Sequence, residues 1–334
     1  MPRTTLKDVG ARVGVSAKTV SNVVNGTGWV TDEVAERVRV AMAELGYRPN
    51  LAARQLRSGK SGMIALALPQ LAQPYFAELA SALVRAAHAS GTTVLIQQTD
   101  GDAEAERRIL AGIGAPAVDG LIMSPLALEP SDLLSRSDPT PLLLLGEQAD
   151  DGPHPHVAVD NTAAGQAATA HLVALGRRRI VALGAQESEP RRTSELRLAG
   201  YRRALEEAGI AVDERLVLPV VGYSRADGAA AARALIASDL RPDAVFAFSD
   251  LLALGAMHEL LAAGLRVPED IAVIGFDDIE EARYSTPTLS SVSPDTAALA
   301  RTAVELLLAD PPRPGNHTVD FALVQRDSTR RAGR

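Results

Sequence analysis

Small and polar side chains fall on one side of a short helical pattern near the start of the chain. Ser16 can cap this pattern, because its hydroxyl can accept a hydrogen bond from an unpaired N–H group of the first turn. Val20 and Val24 are spaced for an apolar inner face. The outward positions are then Ala17, Lys18, Ser21 and Asn22. Side chains of this kind can reach base edges when a helix enters the major groove of DNA.

A preceding amphipathic pattern would position this helix. Thr5 and Asp8 have the spacing of a capping box, which opens a helix. Its apolar face consists of Leu6, Val9 and Val13. Two short helices joined by a tight turn are typical of a helix-turn-helix. The alternative is a helical hairpin without a DNA-binding role.

A third helical pattern begins after Thr31 and ends at Gly46, so the first 47 residues are predicted to form a small three-helix bundle. Several of its polar side chains could contact phosphates, which would fix the register of the protein on DNA. The alternative is that these side chains only cap helices or face solvent. They are Thr5, Ser16, Asn25, Thr31, Tyr47 and Arg48.

The charge distribution supports an interaction of this end with phosphates. The whole chain has a net charge of −7. Residues 1–60 hold ten basic and five acidic side chains, a net charge of +5, whereas the rest holds 24 and 36, a net charge of −12. A basic head on an acidic body confines the attraction for DNA to one end.

A short basic, amphipathic segment follows the bundle, between Pro49 and Gly59. Alone it is too short to be a stable helix. It could become ordered on DNA, with Leu56 wedged between base steps in the minor groove. The alternative is a flexible linker whose Leu56 packs on the body.

The run TLKDVGARVGVSAKTVSNVVNG, followed by ELGYRPNLAARQLRSGKSG, resembles the LacI/GalR family of bacterial transcription regulators. The resemblance implies a hinge helix in the linker, base contacts from Ala17, Lys18 and Asn22, and minor-groove contacts from Ala53 and Leu56. Asn22 stands where arginine is common, and asparagine favours adenine where arginine favours guanine. The predicted DNA-binding residues are Thr5, Ser16, Ala17, Lys18, Thr19, Ser21, Asn22, Asn25, Thr31, Tyr47, Asn50, Ala53 and Leu56.

From Met63 onwards, buried strand patterns alternate with helical patterns, which predicts doubly wound parallel sheets. Together with the resemblance, this predicts an α/β protein with a helix-turn-helix head, a hinge helix and a two-lobed body like periplasmic binding proteins. We expect the head in residues 1–47, the hinge in 48–61 and the body in 62–330. The first lobe would hold about 62–160 and 293–320, and the second about 161–292 and 321–330. The expected strands are 63–68, 92–97, 118–123, 141–145, 179–183, 244–248 and 271–276.

Ligands of such sheets bind beyond the carboxyl ends of the strands. An arginine and an aspartate there can grip vicinal hydroxyls or the edge of a heterocycle, and aromatic rings can stack on a sugar or a base. By resemblance, Arg197 in RLAGY and Asp277 in VIGFDD are the effector anchors. The spacing of Arg191 and Thr193 matches purine-sensing members. The predicted effector-binding residues are Tyr75, Phe76, Ser124, Arg191, Thr193, Arg197, Tyr223, Ser249 and Asp277.

Arg197, Asp250 and Asp278 each have a structural alternative. Arg197 could form a surface ion pair, and Asp250 and Asp278 could merely cap the next turn or helix. Ser249 replaces the asparagine that is commoner in the family before Asp250, which leaves the class of effector open. The segment containing His154 and His156 is interpreted as a surface loop and not as a metal site.

The sequence therefore predicts a dimeric, cytoplasmic repressor that binds palindromic operator DNA and is controlled by a small molecule. A sugar is the first expected effector, and a purine or nucleoside is the alternative. A solute-binding protein without gene control is a second class, which the basic head argues against. An enzyme is not expected, since neither a P-loop nor a nucleophile motif occurs. No cofactor, metal or membrane partner is expected either.

Overall fold

The computed structural model describes residues 4–47, 60–112, 117–146, 154–186, 192–309 and 315–330. By its internal contacts, the chain divides into two compact units, Met1–Ser61 and Gly62–Arg334. The expected hinge helix, with Asn50, Ala53 and Leu56, lies outside the described residues, as does Arg191. Within the described residues, no helix is both long and apolar enough to cross a membrane.

The first unit contains the three expected helices. They are α1 (Leu6–Val13), α2 (Ala17–Asn25) and α3 (Asp32–Glu44). Thr5 and Asp8 form the capping box of α1, and Ser16 and Thr31 cap α2 and α3. The helices enclose a small core of Val9, Val13, Val20, Val38 and Ala41. The hydrophobic pattern and the caps thus specify this bundle together.

The first sheet of the second unit has six parallel strands in the order β11-β5-β4-β3-β1-β2. Helices α4 (Pro74–Ala89) and α11 (Thr296–Leu307) cover one face, and α5 (Ala103–Leu110) and α6 (Pro130–Leu134) cover the other. This is the doubly wound arrangement that the sequence predicts. The strands are β1 (Met63–Leu68), β2 (Thr93–Gln98), β3 (Leu121–Met123), β4 (Leu142–Leu145), β5 (His156–Val159) and β11 (Asn316–Val319).

The second sheet has the order β12-β10-β9-β8-β6-β7, and only its edge strand β12 runs antiparallel to its neighbour. One face packs on α7 (Asn161–Ala174) and α8 (Arg192–Glu207), the other on α9 (Arg225–Ala237) and α10 (Asp250–Ala262). The strands are β6 (Ile180–Ala185), β7 (Val217–Pro219), β8 (Ala244–Ala247), β9 (Ala272–Phe276), β10 (Ser290–Pro294) and β12 (Phe321–Val324).

The chain passes between the two sheets three times: from β5 into α7, from β10 into α11, and from β11 into β12. Strands β5, β10, β11 and β12 were not predicted, because each has only four or five residues. In addition, β10 and β11 carry polar residues in place of an apolar run. The surface-loop interpretation of His156 is wrong, since this residue opens β5 and is buried. Helix α8 begins at Arg192, so Thr193 and Arg197 lie on the helix and not before it.

Two glycines let α7 and α8 approach closely. A Cβ atom at Gly165 would lie 2.6 Å from the carbonyl oxygen of Arg197. A Cβ atom at Gly200 would lie 2.2 Å from the carbonyl oxygen of Thr162. Both obstacles are backbone atoms, which cannot rotate away, so only glycine fits this helix contact.

We predict that Gly200→Ala destabilises the protein by about 1–3 kcal/mol through overpacking, despite the better helix propensity of alanine. Urea denaturation measures the change. Gly222→Ala is the matched control, because its Cβ would lie 3.3 Å from the side-chain oxygen of Asp227, which can move. Equal stability losses in the two variants would contradict the close-packing explanation.

Candidate DNA-binding and effector sites

The second helix of the head presents the residues that the sequence assigns to DNA. Lys18 is exposed, while Ala17, Ser21 and Asn22 are half-buried. The amide of Asn22 lies against the following loop, where a Cβ atom at Gly28 would come within 2.6 Å of its nitrogen. The loop therefore restricts the orientation of this side chain.

Several predicted phosphate contacts have a structural role in the head. The hydroxyls of Thr5, Ser16 and Thr31 accept hydrogen bonds from the N–H groups of Asp8, Thr19 and Val34. Thr19 also pairs with Ser16 through their hydroxyls at 2.9 Å, and Tyr47 packs against the core of the bundle. These side chains fix the ends of α1, α2 and α3, and thereby the position of the recognition surface.

Arg197 is buried, with only 7% of its surface exposed. Its Nε donates to Oδ1 of Asn161 at 2.7 Å, and Nη1 donates to the carbonyl oxygen of Phe248. Its guanidinium carbon lies 3.4 Å from the centroid of the Phe276 ring, a cation–π contact. The expected alternative, a surface ion pair, is excluded by this burial. The contacts with Asn161 and Phe276 were not predicted from the sequence, because both residues lie far from Arg197 along the chain.

Arg197 contacts two neighbouring strand ends at one edge of the second sheet, and each is followed by a predicted effector residue. Phe248 directly precedes Ser249 at the end of β8, and Phe276 directly precedes Asp277 at the end of β9. Carboxyl ends of neighbouring parallel strands lie at the same edge. Arg197 therefore contacts the two strand ends that carry Ser249 and Asp277.

The backbone turns sharply after β9. Asp277 and Asp278 have φ angles of 108° and 54°, a region that residues other than glycine rarely adopt. Asp278 fixes this turn: its Oδ1 accepts from Arg326 at 2.6 Å, and its N–H donates to Oγ of Ser291. Asp278 thus has a structural role through its contact with Arg326. Uncommon backbone conformations of this kind cluster at ligand-binding sites.

Asp250 stabilises the same turn through hydrogen bonds. It is fully buried and accepts hydrogen bonds from the N–H of Ile279 at 2.9 Å and from Oγ of Ser291 at 2.7 Å. Burial, followed by the negative charge of Asp277, raises the pKa of Asp250 well above its ordinary value of 3.8. A Cβ atom at Gly275 would lie 2.1 Å from its Oδ1, so the site accepts only glycine there. Asp250 is therefore a support of the site.

The other predicted effector residues occupy different places. Tyr75 packs against the cores of both sheets and makes an edge-on contact with Phe76, with ring centroids 5.2 Å apart. The hydroxyl of Tyr223 donates to the carbonyl oxygen of Gly184 at 2.8 Å. Ser124 is buried at the end of β3 in the first sheet, and Thr193 is half-buried in the first turn of α8. The set thus includes residues from both sheets.

A hydrogen bond connects the two lobes at the turn after β9. Oε1 of Glu78 on α4 accepts from the N–H of Glu280 at 3.0 Å, just after the turn that carries Asp277. This hydrogen bond connects the turn after β9 to the first lobe. Among the described residues, no group of three or more His, Cys, Asp or Glu side chains could hold a metal ion.

Comparisons with known proteins agree with this architecture. The model described as bacterial regulatory proteins, lacI family, matches residues 5–50, and the model of a periplasmic binding protein-like domain matches residues 169–329. The HTH-type transcriptional repressor PurR of Erwinia tasmaniensis is 35% identical over 308 residues, which cover 91% of this chain and 89% of the relative.

Two solved structures are similar over most of their length. A LacI-family transcriptional regulator from Sanguibacter keddieii is 41% identical, with a TM-score of 0.75, over 81% of this chain and 99% of that one. The lac repressor dimer bound to operator and the anti-inducer ONPF is 30% identical, with a TM-score of 0.85, over 98% and 99%.

The head and the two-sheet body define a helix-turn-helix transcription regulator with a periplasmic-binding-protein-like domain. The chain belongs to the LacI family of bacterial regulatory proteins. The family consists of transcription regulators and not of enzymes.

We predict that the buried carboxyl of Asp250 makes stability depend on pH. Because its pKa is raised in the folded protein, its contribution is fully present below 3.8 and is lost as the pH rises through the folded-state pKa. Asp250→Asn cannot ionise, yet it can accept from Ile279 and donate to Ser291. The free energy of unfolding of the variant, minus that of the wild type, should therefore rise between about pH 4 and pH 7. Asp250→Ala should lose about 1–3 kcal/mol by leaving the N–H of Ile279 unpaired.

Asp270→Asn provides a control of opposite sign. Its hydrogen bond with Arg266 lowers the pKa of Asp270 to about 2, so its contribution is present above 3.8 and lost as the pH falls towards 2. Denaturation curves across this pH range measure both variants. A pH-independent difference between Asp250→Asn and the wild type would show that the carboxyl is not strongly perturbed.

Proposed function

We propose that the chain is a cytoplasmic repressor that binds a palindromic operator as a homodimer, and that a small molecule bound between the two six-stranded sheets controls this binding. The observation that carries the proposal is the buried Arg197 at the carboxyl edge of the second sheet. A buried charge is costly unless it is well solvated by the protein or used by a ligand.

The chemistry of arginine suits this role. A guanidinium has five N–H donors in a fixed plane, so Arg197 can hold Asn161 and Phe248 and still donate to a ligand. Asp277, at the neighbouring strand end, supplies an acceptor at the same edge. The pair can therefore fix both ends of a polar ring system.

A flat nitrogen heterocycle such as a purine base fits these residues better than a sugar. The hydroxyl of Ser249 caps α10 by accepting from Leu252, and that of Tyr223 donates to Gly184. Two hydroxyls that a sugar could otherwise use are thus engaged within the protein. The rings of Tyr75 and Phe76 offer aromatic surface instead. The spacing of Arg191 and Thr193 also resembles that of purine-sensing family members.

A sugar is the second candidate effector, because Arg197 and Asp277 could also bind vicinal hydroxyls. Thermal-shift screening of purines, nucleosides and sugars separates the two classes, since a ligand stabilises the folded state by mass action. A solute-binding protein without gene control is the other functional class, and it would bind such a ligand without any change in DNA affinity.

The DNA-binding part of the proposal rests on the head. One head reads only a half-site, so a symmetric dimer fits a palindrome. The chain would use residues 1–47 as the head, 48–61 as the hinge and 62–330 as the effector-binding body. Within the hinge, Leu56 would insert into the minor groove and bend the DNA, with Ala53 beside it.

We predict that operator binding weakens steeply between about 50 and 200 mM salt, because the basic head releases counterions from phosphates. Lys18→Ala should weaken binding at every salt concentration. Arg203→Ala is the control, because Arg203 lies on α8 in the body and pairs with Glu207. Fluorescence anisotropy on a labelled duplex measures all three. A flat salt dependence would refute electrostatic binding by the head.

We predict that Arg197→Ala and Asp277→Ala each weaken effector binding by roughly 2–5 kcal/mol, because a buried polar partner loses its counterpart. Calorimetry with the ligand found in the screen measures the loss. Arg203→Ala, on the same helix but exposed, should keep full affinity. Asp277→Asn keeps the shape of the turn and tests whether the charge itself is needed. Unchanged affinity in all variants would place the effector elsewhere.

A further inference from the structure

The first residue of the body is held by a side chain from a distant part of the chain. Gly62 begins the second compact unit, directly after the predicted hinge. Its N–H donates to Oδ2 of Asp119 at 2.7 Å. Its carbonyl oxygen accepts from the N–H of Thr93 at 2.9 Å. The backbone N–H and carbonyl groups of Gly62 are thus both engaged within the body.

Asp119 also binds the next residue of the chain. Its own N–H donates to the carbonyl oxygen of Met63, the first residue of β1, at 2.7 Å. Asp119 therefore holds two consecutive residues, one through its side chain and one through its backbone. The backbone of Gly62 has a φ angle of 71°, a conformation that glycine adopts without strain. The chain thus turns at a fixed point just before it enters the first sheet.

The position of Asp119 is itself constrained by its neighbour Gly120. The carbonyl oxygen of Gly120 accepts from the N–H of Ala65 in β1 at 2.9 Å. A Cβ atom at Gly120 would lie 2.7 Å from the branched carbon of Leu307, so α11 packs directly against the backbone beside Asp119. A carboxylate also accepts N–H hydrogen bonds more strongly than a neutral group does. Asp119 is therefore a rigid anchor for Gly62.

The second sheet contains the same arrangement at a place far from the hinge in the chain. Asp243 precedes β8 and accepts from the N–H groups of Arg178 and Arg179 at 2.8 and 3.0 Å. Its own N–H donates to the carbonyl oxygen of Arg179. In each sheet, an aspartate thus fixes the start of the neighbouring strand. Asp119 differs from Asp243 because the residue that it holds joins the body to the hinge.

We propose that Asp119 is a positioning residue for operator binding. By holding Gly62, it gives the hinge of each subunit a fixed starting point on the body. The two heads of a dimer must reach half-sites of set spacing. A fixed starting point lowers the entropy that ordering the hinge costs on DNA, so it strengthens binding to a complete operator. This role rests on the proposed binding of a palindrome by a homodimer.

The test compares Asp119→Ala with the wild type on two labelled duplexes by fluorescence anisotropy. One is a palindrome that the wild type selects from a random library, and the other is one half-site of it. Each chain of the variant dimer must order a freed residue on the palindrome, so the variant should bind this duplex about tenfold more weakly. The half-site contacts one head only, so the affinity of the variant for it should be unchanged.

Asp243→Ala is the matched control. Urea denaturation should show similar losses of stability in the two alanine variants, because each leaves backbone N–H groups without their acceptor. Asp243→Ala should nevertheless bind the palindrome as the wild type does. Asp119→Asn keeps an acceptor oxygen for Gly62 and should recover most of the affinity. Should Asp119→Ala fold poorly, Asp119→Glu decides, because it retains the charge but displaces the acceptor.

The role of Asp119 is refuted by wild-type affinity of Asp119→Ala for the palindrome, or of Asp119→Glu in its place. An equal loss of affinity in Asp243→Ala, or an equal loss on the half-site, refutes it as well. A wild type that selects no palindrome would instead refute the proposed function itself, and the role of Asp119 with it.

Discussion

The buried guanidinium of Arg197 is the contact on which the arrangement of the effector site depends. It links α8 to Asn161 at the start of α7, to the end of β8 and to the ring of Phe276 in β9. A buried cation is tolerated only when hydrogen bonds and π contacts replace its water, and each of these partners comes from a different element. The close packing of α7 on α8 at Gly165 and Gly200 is what places the arginine within reach of all of them.

The three aspartates around the turn after β9 have different roles: two stabilise the turn, and we propose that Asp277 contacts the effector. The carboxylates of Asp250 and Asp278 are bound by other groups of the protein. Asp250 accepts hydrogen bonds from Ile279 and Ser291, and Asp278 forms an ion pair with Arg326. These bonds hold Asp277 in an uncommon backbone conformation at the edge of the sheet. The same turn continues to Glu280, which is bonded to Glu78 of the other lobe. A ligand contact at Asp277 would thus change the distance between the lobes. We propose that this change transmits effector binding to the hinge that contacts DNA.

The sequence predicted the elements whose signals are local. Caps at Thr5, Ser16 and Thr31 and apolar periodicity specify the head, and long apolar runs specify the central strands. Strands β5 and β11 were not predicted, because each has only four residues. The edge strand β11 is also largely polar, and a strand at a sheet edge needs no apolar run. The burial of His156 was not predicted for the same reason. Asn161 and Phe276 could not be found either, since their contact with Arg197 arises only when distant segments meet. The resemblance named Arg197 and Asp277, but not the residues that hold them.

We propose that effector and operator act on one two-state equilibrium. Thermodynamic linkage then requires each ligand to change the affinity of the other by the same factor. The decisive measurement compares two ratios. The first is the effector's dissociation constant for the free protein divided by that for the protein saturated with operator. The second is the operator's dissociation constant without effector divided by that with saturating effector. We predict two equal ratios, both different from one by about 5–150-fold. An effector affinity that is identical on and off the operator would contradict the account.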